Sequence, residues 1–330
     1  MSYPVVSIAT VTVSARVTDD LETYRRELTG YCYRMLGSGF DADDAVQETM
    51  LRAWQAQERF EGRSSVRVWL YRIATNVCLD MLRGRRRRAL PMELGPAVDA
   101  VPAVLDLLPA GSWVSPIADE RVLPVGADPA ELFEARESVR LAFVAALQAL
   151  PARQRAALIL CDVLRWPAVE AAALLETSVA AVNSALQRAR GVLPAARAAQ
   201  PDLGKAERDL VARFVDAFQR YDIDTLVTLL HDDAIHAMPP YALWLRGADS
   251  IGRFLLGPGA ECRGSRLVPT SANGAPAFGQ YRPDPDGGHR PWSLQVLEVV
   301  DGRVAEIHAF LDTAELYPAF GLPDHLPPHR

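Results

Sequence analysis

Residues 61–88, EGRSSVRVWLYRIATNVCLDMLRGRRRR, concentrate the groups that bind nucleic acids. The stretch holds eight arginines and two acids, although the whole chain has a formal net charge of −6. On a helix at 100° per residue over residues 69–83, four side chains share one face: Trp69, Arg72, Asn76 and Arg83. Arg85 and the three arginines after it extend the charge. Aromatic rings stack on unpaired bases, amides bond base edges and guanidinium groups hold phosphates. The pattern favours contact with opening or single-stranded DNA over the alternative, a solvated arginine face.

The segment before it, DADDAVQETMLRAWQ at residues 41–55, carries an acidic and polar face. Helical spacing of i, i+3, i+4 and i+7 places four residues on it: Asp44, Gln47, Glu48 and Leu51. Acids at a helix start also act as simple capping groups. An acidic face beside a DNA-binding helix should avoid DNA, so this pattern indicates a basic protein partner.

Residues 149–190 predict a helix followed by a helix-turn-helix. Its first short helix spans about residues 167–175, and the second begins after Thr177 or Ser178 and runs to Arg190. The expected buried stripe is Val179, Val182, Leu186 and Ala189. The expected outward residues are Ala180, Ser184, Gln187, Arg188 and Arg190. Ser and Gln suit base edges and Arg suits phosphate or guanine, whereas a plain helical hairpin is the alternative.

The C-terminal part holds five titratable groups that could act as acids or bases: His231, Asp232, His236, His308 and Asp312. The alternative is that they cap helices, form turns or lie at the surface. We favour that alternative and expect no catalytic residues and no enzyme activity.

Charge and composition divide the 330-residue chain into segments. Residues 1–90 carry 14 basic and 11 acidic side chains, residues 91–138 carry 2 and 9, residues 139–200 carry 7 and 3, and residues 201–330 carry 12 and 18. Two basic blocks around an acidic linker suggest two contacts with one polyanion. The expected segments are a tail (1–20), a helical module (21–88), an acidic linker (89–135), a second helical module (136–196), a hinge (197–204), an α+β domain (205–320) and a tail (321–330).

Composition also bounds the class of protein. The four cysteines, Cys32, Cys78, Cys161 and Cys262, form no Cys-x-x-Cys pair, which argues against a zinc site or a disulfide framework. No apolar run of about 18 residues predicts a membrane span, and the first 20 residues do not look like a signal peptide. We therefore expect a cytoplasmic protein without a metal or cofactor.

Residues 31–83 contain two motifs, YCYRMLGSGFDADDAVQETMLRAWQ and RFEGRSSVRVWLYRIATNVCLDMLR, whose order and spacing resemble region 2 of sigma-70-type RNA polymerase sigma factors. The extracytoplasmic-function class is the most similar. The resemblance implies that the acidic face binds the clamp helices of the β′ subunit of core RNA polymerase. It also implies that Asn76 and the loop 60–65 hold a flipped base of the promoter −10 element. The loop residues expected to take part are Phe60, Arg63, Ser64 and Ser65.

The helix-turn-helix resembles region 4 of the same family, which reads the −35 element of promoter DNA. Glu176 stands where the turn usually has glycine, and Asn183 stands where a basic residue is frequent. In sigma factors the intervening linker threads toward the active-site cleft, and a flexible spacer is the alternative.

Residues 205–320 resemble the SnoaL-like domain, a cone-shaped α+β fold, through VARFVDAFQRYDIDTLVTLLHDDAIHAMPPY, WLRGADSIGRFL and VVDGRVAEIHAFLD. The expected fold is therefore two all-α modules followed by an α+β domain. The resemblance implies a pocket for a small ligand and regulation in cis, without a separate anti-sigma factor. Two rivals stay open: a helix-turn-helix regulator that does not bind polymerase, and a SnoaL-like enzyme with a DNA-binding arm.

Overall fold

The computed structural model describes residues 21–60, 62, 64–98, 106–191 and 203–328. These residues cluster into two compact units, described here one at a time. The first unit takes in the described parts of residues 1–87, 120–128 and 143–194, and the second the described parts of 88–119, 129–142 and 195–330.

Three helices open the first unit: α1 (Arg25–Leu36), α2 (Gly39–Ala56) and α3 (Val66–Leu82). Gly37 ends α1 in the left-handed conformation, with a φ of 69°, and the Ser38 side chain caps α2 by accepting from the Asp41 amide at 3.2 Å. Because α3 ends at Leu82, Arg83 lies just beyond the helix, so the expected helical span to residue 83 was one residue too long.

The second helical module contains α7 (Ala152–Leu158), a π-helical turn (Ile159–Val163), α8 (Ala168–Leu174) and α9 (Val179–Arg190). Helices α8 and α9 meet at 104°, the geometry of the predicted helix-turn-helix. Ser178 caps α9, and Glu176 adopts a left-handed φ of 52° where glycine is usual. The predicted buried stripe was wrong at Val179, which is 40% exposed because it lies in the first turn of α9; Ala185 is buried instead.

The second unit is built on a six-stranded sheet in the order β2-β1-β6-β5-β4-β3. The strands are β1 (Leu230–Ala237), β2 (Trp244–Arg246), β3 (Arg266–Ala272), β4 (Ala275–Pro283), β5 (His289–Val300) and β6 (Arg303–Phe310). Strands β1 and β6 are parallel, and the other neighbours are antiparallel. Asp301 and Gly302, with φ of 48° and 73°, form the predicted two-residue turn between β5 and β6.

Helices cover this sheet. They are α10 (Leu203–Arg220), α11 (Ile223–Leu229), α12 (Ala248–Leu256) and α13 (Thr313–Ala319). One sheet face packs against α10, α11 and α12 in an apolar core that includes Phe214, Leu226, Ile251 and Leu297. Three further helices are α4 (Pro91–Leu94) and α5 (Pro129–Glu137), in and at the end of the acidic linker, and α6 (Leu141–Gln148), in the second helical module. The all-α modules followed by an α+β domain agree with the fold class expected from the sequence.

Among the residues with described coordinates, no single helix is long and apolar enough to cross a membrane. Helices α8 and α9 together reach that length and composition, but only as a pair bent by 104°.

Candidate functional site

The acidic face predicted on α2 is exposed and has an apolar centre. Asp44 and Gln47 are exposed, and Glu48 is half-buried with its carboxylate 2.6 Å from the Arg52 Nε. Leu51 is 47% exposed. Sequence reasoning missed Trp54, which is 55% exposed and three residues further along the same helix. Its spacing from Leu51 was the available signal. Exposed large apolar side chains rimmed by polar groups are typical of a protein-binding surface.

Two acids at the start of α2 are already in ion pairs. Asp41 lies 2.7 Å from the Arg85 guanidinium, and Asp43 pairs with Arg121. Arg85, expected to contact DNA, must therefore exchange Asp41 for a phosphate. Arg83 makes an exposed pair with Asp80 at 3.1 Å, of the kind that contributes little and exchanges readily.

The residues expected at the −10 element surround the start of α3. The Phe60 and Trp69 rings are in contact with centroids 4.8 Å apart and their planes tilted by 33°. Ser65 caps α3 by accepting from the Val68 amide at 3.3 Å, and Ser64 is half-buried. Arg72 and Asn76 are both exposed on α3. Arg63 lies outside the described residues. Trp69, Arg72 and Asn76 thus lie on α3, and Phe60 packs on Trp69 from the segment before that helix.

All five residues expected at the −35 element are exposed on α9: Ala180, Ser184, Gln187, Arg188 and Arg190. The Arg188 Nη1 donates to the Ser184 hydroxyl at 2.6 Å, so these two exposed side chains are hydrogen-bonded to each other on the surface of α9. Arg190 instead donates twice to the Asp162 carboxylate, at 2.8 and 2.7 Å, and this bonding raises the Arg190 pKa. Gln187 lies on the same exposed side of α9, where it can reach a base edge.

The titratable groups of the C-terminal domain do not converge. His236 on β1 is 7% exposed, and burial lowers its pKa to about 4, with a smaller contribution from His308. The register pairs His236 with Ile307, so His308 points to the opposite face of the sheet, where its Nε2 lies 2.7 Å from Glu306.

The remaining candidates lie elsewhere. Asp232 is 92% exposed at its side chain and pairs with Arg303, and Asp312 stands at the start of α13. Nor do the residues described bring together three metal-ligating side chains. The five groups expected from the sequence therefore form no common acid–base site.

A groove of about 330 Å³ opens between α11 and α12, lined by Ile223, Asp224, Val227, Asp249, Gly252, Arg253 and Leu256. It lies between two surface helices, and nothing in its lining identifies a ligand. The small-ligand pocket expected from the sequence stays a prediction.

The linker is held by the C-terminal domain through a buried asparagine. Asn273, fully buried at the β3–β4 turn, accepts from the Ile117 amide at 3.1 Å and donates to the Val139 carbonyl at 2.7 Å. The next amide, of Gly274, donates to the Asp119 carboxylate at 2.7 Å. One turn thus binds three separate points of the linker and its following helices.

A second set of contacts fixes the ends of the linker. Arg140 bonds the Glu137 carboxylate at 2.6 Å and also pairs with Glu298 on β5. The Trp244 indole donates to the Gly95 carbonyl at 2.9 Å. Residues Ser112, Val114, Ser115, Ile117 and Ala118 are buried, which is at odds with the flexible-spacer alternative for this part of the linker.

Three family profiles match: "Sigma-70 region 2" over residues 21–88, "Sigma-70, region 4" over residues 140–193, and "SnoaL-like domain" over residues 211–307.

Individual proteins match most of the chain. It is 50% identical over 314 residues to "ECF RNA polymerase sigma factor SigG" of Mycobacterium tuberculosis H37Rv, covering 92% of this chain and 83% of the relative. It is 30% identical over 248 residues to SigJ of the same strain, covering 72% of each. The crystal structure of Mycobacterium tuberculosis SigJ is similar with a TM-score of 0.61 and 25% identity, over 92% of this chain and 99% of that one.

Proposed function

This chain belongs to the extracytoplasmic-function sigma factors, which bind RNA polymerase and direct transcription initiation, and we propose the surfaces by which it does so. The exposed face of α2 binds the β′ clamp helices of core polymerase. Helix α3 and the loop before it hold the −10 element, and α9 reads the −35 element. The protein acts in the cytoplasm and has no catalytic role of its own.

The observation that carries the docking assignment is the apolar pair on α2. Leu51 and Trp54 are exposed by about half, and Asp44 and Gln47 lie on the same helix. Burying such an aromatic side chain against a partner stabilises a complex by roughly 1.5–3 kcal/mol. The polar rim then selects a basic partner surface. A helix-turn-helix regulator that acts without polymerase leaves this face without a purpose.

The −10 assignment is supported by the Phe60 and Trp69 rings, in contact at 4.8 Å, and by Asn76, exposed two turns further along α3. Extracting a base costs a few kcal/mol of stacking and pairing, least at weak A·T steps. An aromatic surface and an amide that bonds the base edge offset that cost. Opening can then begin without ATP.

The C-terminal domain regulates in cis, and no separate anti-sigma factor is required. The support is the set of bonds from Asn273 and Gly274 to the linker and from Glu298 to Arg140, five residues after the linker ends. Because the linker connects the two promoter-binding modules, a domain that binds the linker can change the arrangement of those modules. A small ligand that changes these bonds would alter transcription.

The double variant Asp44→Arg with Glu48→Arg tests polymerase docking. We expect it to abolish co-purification with core polymerase, because it places two positive charges beside Leu51 and Trp54 on a face that selects a basic partner. The matched control is Asp209→Arg with Asp216→Arg on α10. It makes the same charge change on an exposed helix, and Asp216, like Glu48, pairs with an arginine four residues on. Normal co-purification of the α2 variant would refute the docking assignment.

A further inference from the structure

The exposed side of α9 carries a stripe of three residues, of which only one was expected at the −35 element. Val179, Asn183 and Gln187 follow one another at a spacing of four, so their side chains lie along one side of the helix. All three are exposed. The opposite side of α9 packs inward through Val182, Ala185, Leu186 and Ala189. The stripe is therefore free to meet DNA, and Val179 and Asn183 have no part in the packing that holds α9.

The two arginines of α9 are poorly placed to read bases. Arg188 donates to the Ser184 hydroxyl at 2.6 Å, and Arg190 donates twice to the Asp162 carboxylate, at 2.8 and 2.7 Å. Both arginines lie in the last turn of α9, whereas a recognition helix enters the major groove with its N-terminal residues. Bidentate bonding to guanine would also require the two Arg190 donors that Asp162 already occupies. These arginines therefore suit phosphates better than base edges.

The two amides of the stripe are free. Within the part of the chain that the structure describes, neither Asn183 nor Gln187 has a hydrogen-bond partner for its side chain. An amide donates and accepts at once, and the major-groove edge of adenine offers the matching pair, the N7 acceptor and the N6 donor. Guanine offers two acceptors there, and cytosine offers a donor alone. The free amides thus match adenine.

The spacing of the amides suits two separate bases. Four residues of an α-helix rise about 6 Å, and stacked base pairs are about 3.4 Å apart, so Asn183 and Gln187 can reach bases about two steps apart. Asn183 lies one turn nearer to the N-terminus of α9, the end that enters the groove.

Val179 adds an apolar contact beside Asn183. It is 40% exposed in the first turn of α9, one turn before Asn183. The C5 methyl group of thymine is the apolar group of the major groove, and a G·C pair has no such group. An A·T pair presents the adenine edge and the thymine methyl side by side. A valine next to a free amide therefore matches A·T pairs in particular.

We propose that Asn183 is a specificity-determining residue that bonds the N6 and N7 edge of an adenine in the −35 element, while Val179 contacts a thymine methyl group beside it. Gln187 bonds a second adenine about two steps away. This proposal rests on the assignment of α9 to the −35 element proposed above.

Selection from promoters with a randomised −35 element tests the assignment. Holoenzyme made with the full-length protein should select adenine at two positions, each by about tenfold over the other bases. Asn183→Ala should lose the preference at one of these positions, and Gln187→Ala at the other. Alanine favours a helix, so α9 should persist in both variants. Asn76→Ala, an equally exposed asparagine on α3, is the matched control and should keep both preferences. Asn183→Arg should change the preference at its position from adenine to guanine, since arginine matches the two guanine acceptors.

Base analogues identify the atoms involved. At the position assigned to Asn183, 7-deazaadenine removes N7 and unsubstituted purine removes the N6 amino group. Each should weaken binding of the wild-type holoenzyme about five- to tenfold and leave Asn183→Ala unaffected. Deoxyuridine in place of the neighbouring thymine removes the methyl group. It should weaken wild-type binding about threefold and leave Val179→Ala unaffected.

The outcomes separate this proposal from the function on which it rests. If Asn183→Ala keeps every adenine preference while Gln187→Ala loses one, α9 still reads the −35 element and the Asn183 assignment is refuted. An even loss of binding across all four bases with Asn183→Ala would indicate a phosphate contact and would equally overturn it. If none of the substitutions on α9 changes selection within the −35 element, the proposed function of α9 itself is wrong.

Discussion

At the scale of single residues, Asn76 is the side chain best placed to read a base. It is exposed on α3, and Trp69 lies two turns earlier on the same helix, its ring 4.8 Å from the Phe60 ring. An amide can donate and accept at once, so it distinguishes base edges in a way that the nearby guanidinium groups cannot. Those arginines contribute charge, and the discrimination should depend on the amide.

Asn76→Ala should therefore lower discrimination at one −10 position by ~1–3 kcal/mol, the usual scale of a base contact. Alanine favours a helix, so α3 should persist. A transcription scan over all four bases at each −10 position measures the loss. Asn183→Ala, an equally exposed asparagine on α9, is the control and should leave that position unchanged. Arg85→Ala should instead weaken binding evenly across sequences and flatten its salt dependence. Unchanged discrimination with Asn76→Ala would remove the base-contact assignment.

Helical spacing predicted exposed positions on α2, α3 and α9, since 3.6 residues per turn fixes which side chains share a face, but it was wrong at Val179 and placed Arg83 on a helix that ends at Leu82. It did not predict which arginines are already paired. Arg85 meets Asp41 from 44 residues away, and Arg190 meets Asp162 from 28 residues away. Such pairs depend on tertiary packing, which local periodicity does not contain. Trp54 was missed because a tryptophan near an apolar stripe is more often buried than exposed.

At the scale of elements, the β3–β4 turn explains why the linker residues around Ile117 are buried. Asn273 adopts a left-handed φ of 57°, a conformation that asparagine tolerates better than most residues. That conformation lets one amide side chain meet both the Ile117 amide and the Val139 carbonyl. The turn is therefore a binding element for the linker as well as a connection between strands.

Asn273→Ala should release the linker. It leaves the buried Ile117 amide and Val139 carbonyl without partners and places alanine at positive φ, for a loss of about 2–4 kcal/mol. Limited trypsin digestion of the full chain should then cleave at Arg121 and Arg136 faster than in the wild type. Asn273→Gly removes the same side-chain bonds without backbone strain. It should therefore release the linker, and speed up cleavage, to a smaller degree than Asn273→Ala. Equal protection of all three proteins would mean that the asparagine does not hold the linker.

The sequence predicted the helix-turn-helix and the Asp301–Gly302 hairpin because their signals are local. The linker was different. Its proline-, alanine- and glycine-rich composition is typical of a spacer, and a flexible spacer was left open. The partner of the Ile117 amide, Asn273, lies 156 residues further along the chain. No pattern within residues 89–135 reveals a contact of that range.

At the scale of the whole molecule, the C-terminal domain that binds the linker has a net negative charge, whereas the modules that bind DNA have a net positive charge. Residues 201–330 carry 12 basic and 18 acidic side chains, whereas residues 139–200 carry 7 and 3. An acidic domain adds no affinity for DNA, since promoter binding depends on neutralising phosphates. Its effect on transcription should act through the linker.

Deletion of residues 198–330 tests that route. The truncated protein keeps α2, α3 and α9, so its preference among promoter sequences should be unchanged. It loses the bonds from Asn273 and Gly274 to the linker, so buried linker side chains such as Val114 and Ile117 meet water. Transcription output at fixed protein concentration should therefore change in a reconstituted assay.

Full-length Asn273→Ala should shift output in the same direction by a smaller amount, because it removes only some of the bonds between the C-terminal domain and the linker. Equal output from all three proteins, with and without cell extract as a source of ligand, would exclude regulation in cis. An effect of the deletion that Asn273→Ala does not share would show that the domain acts by another route.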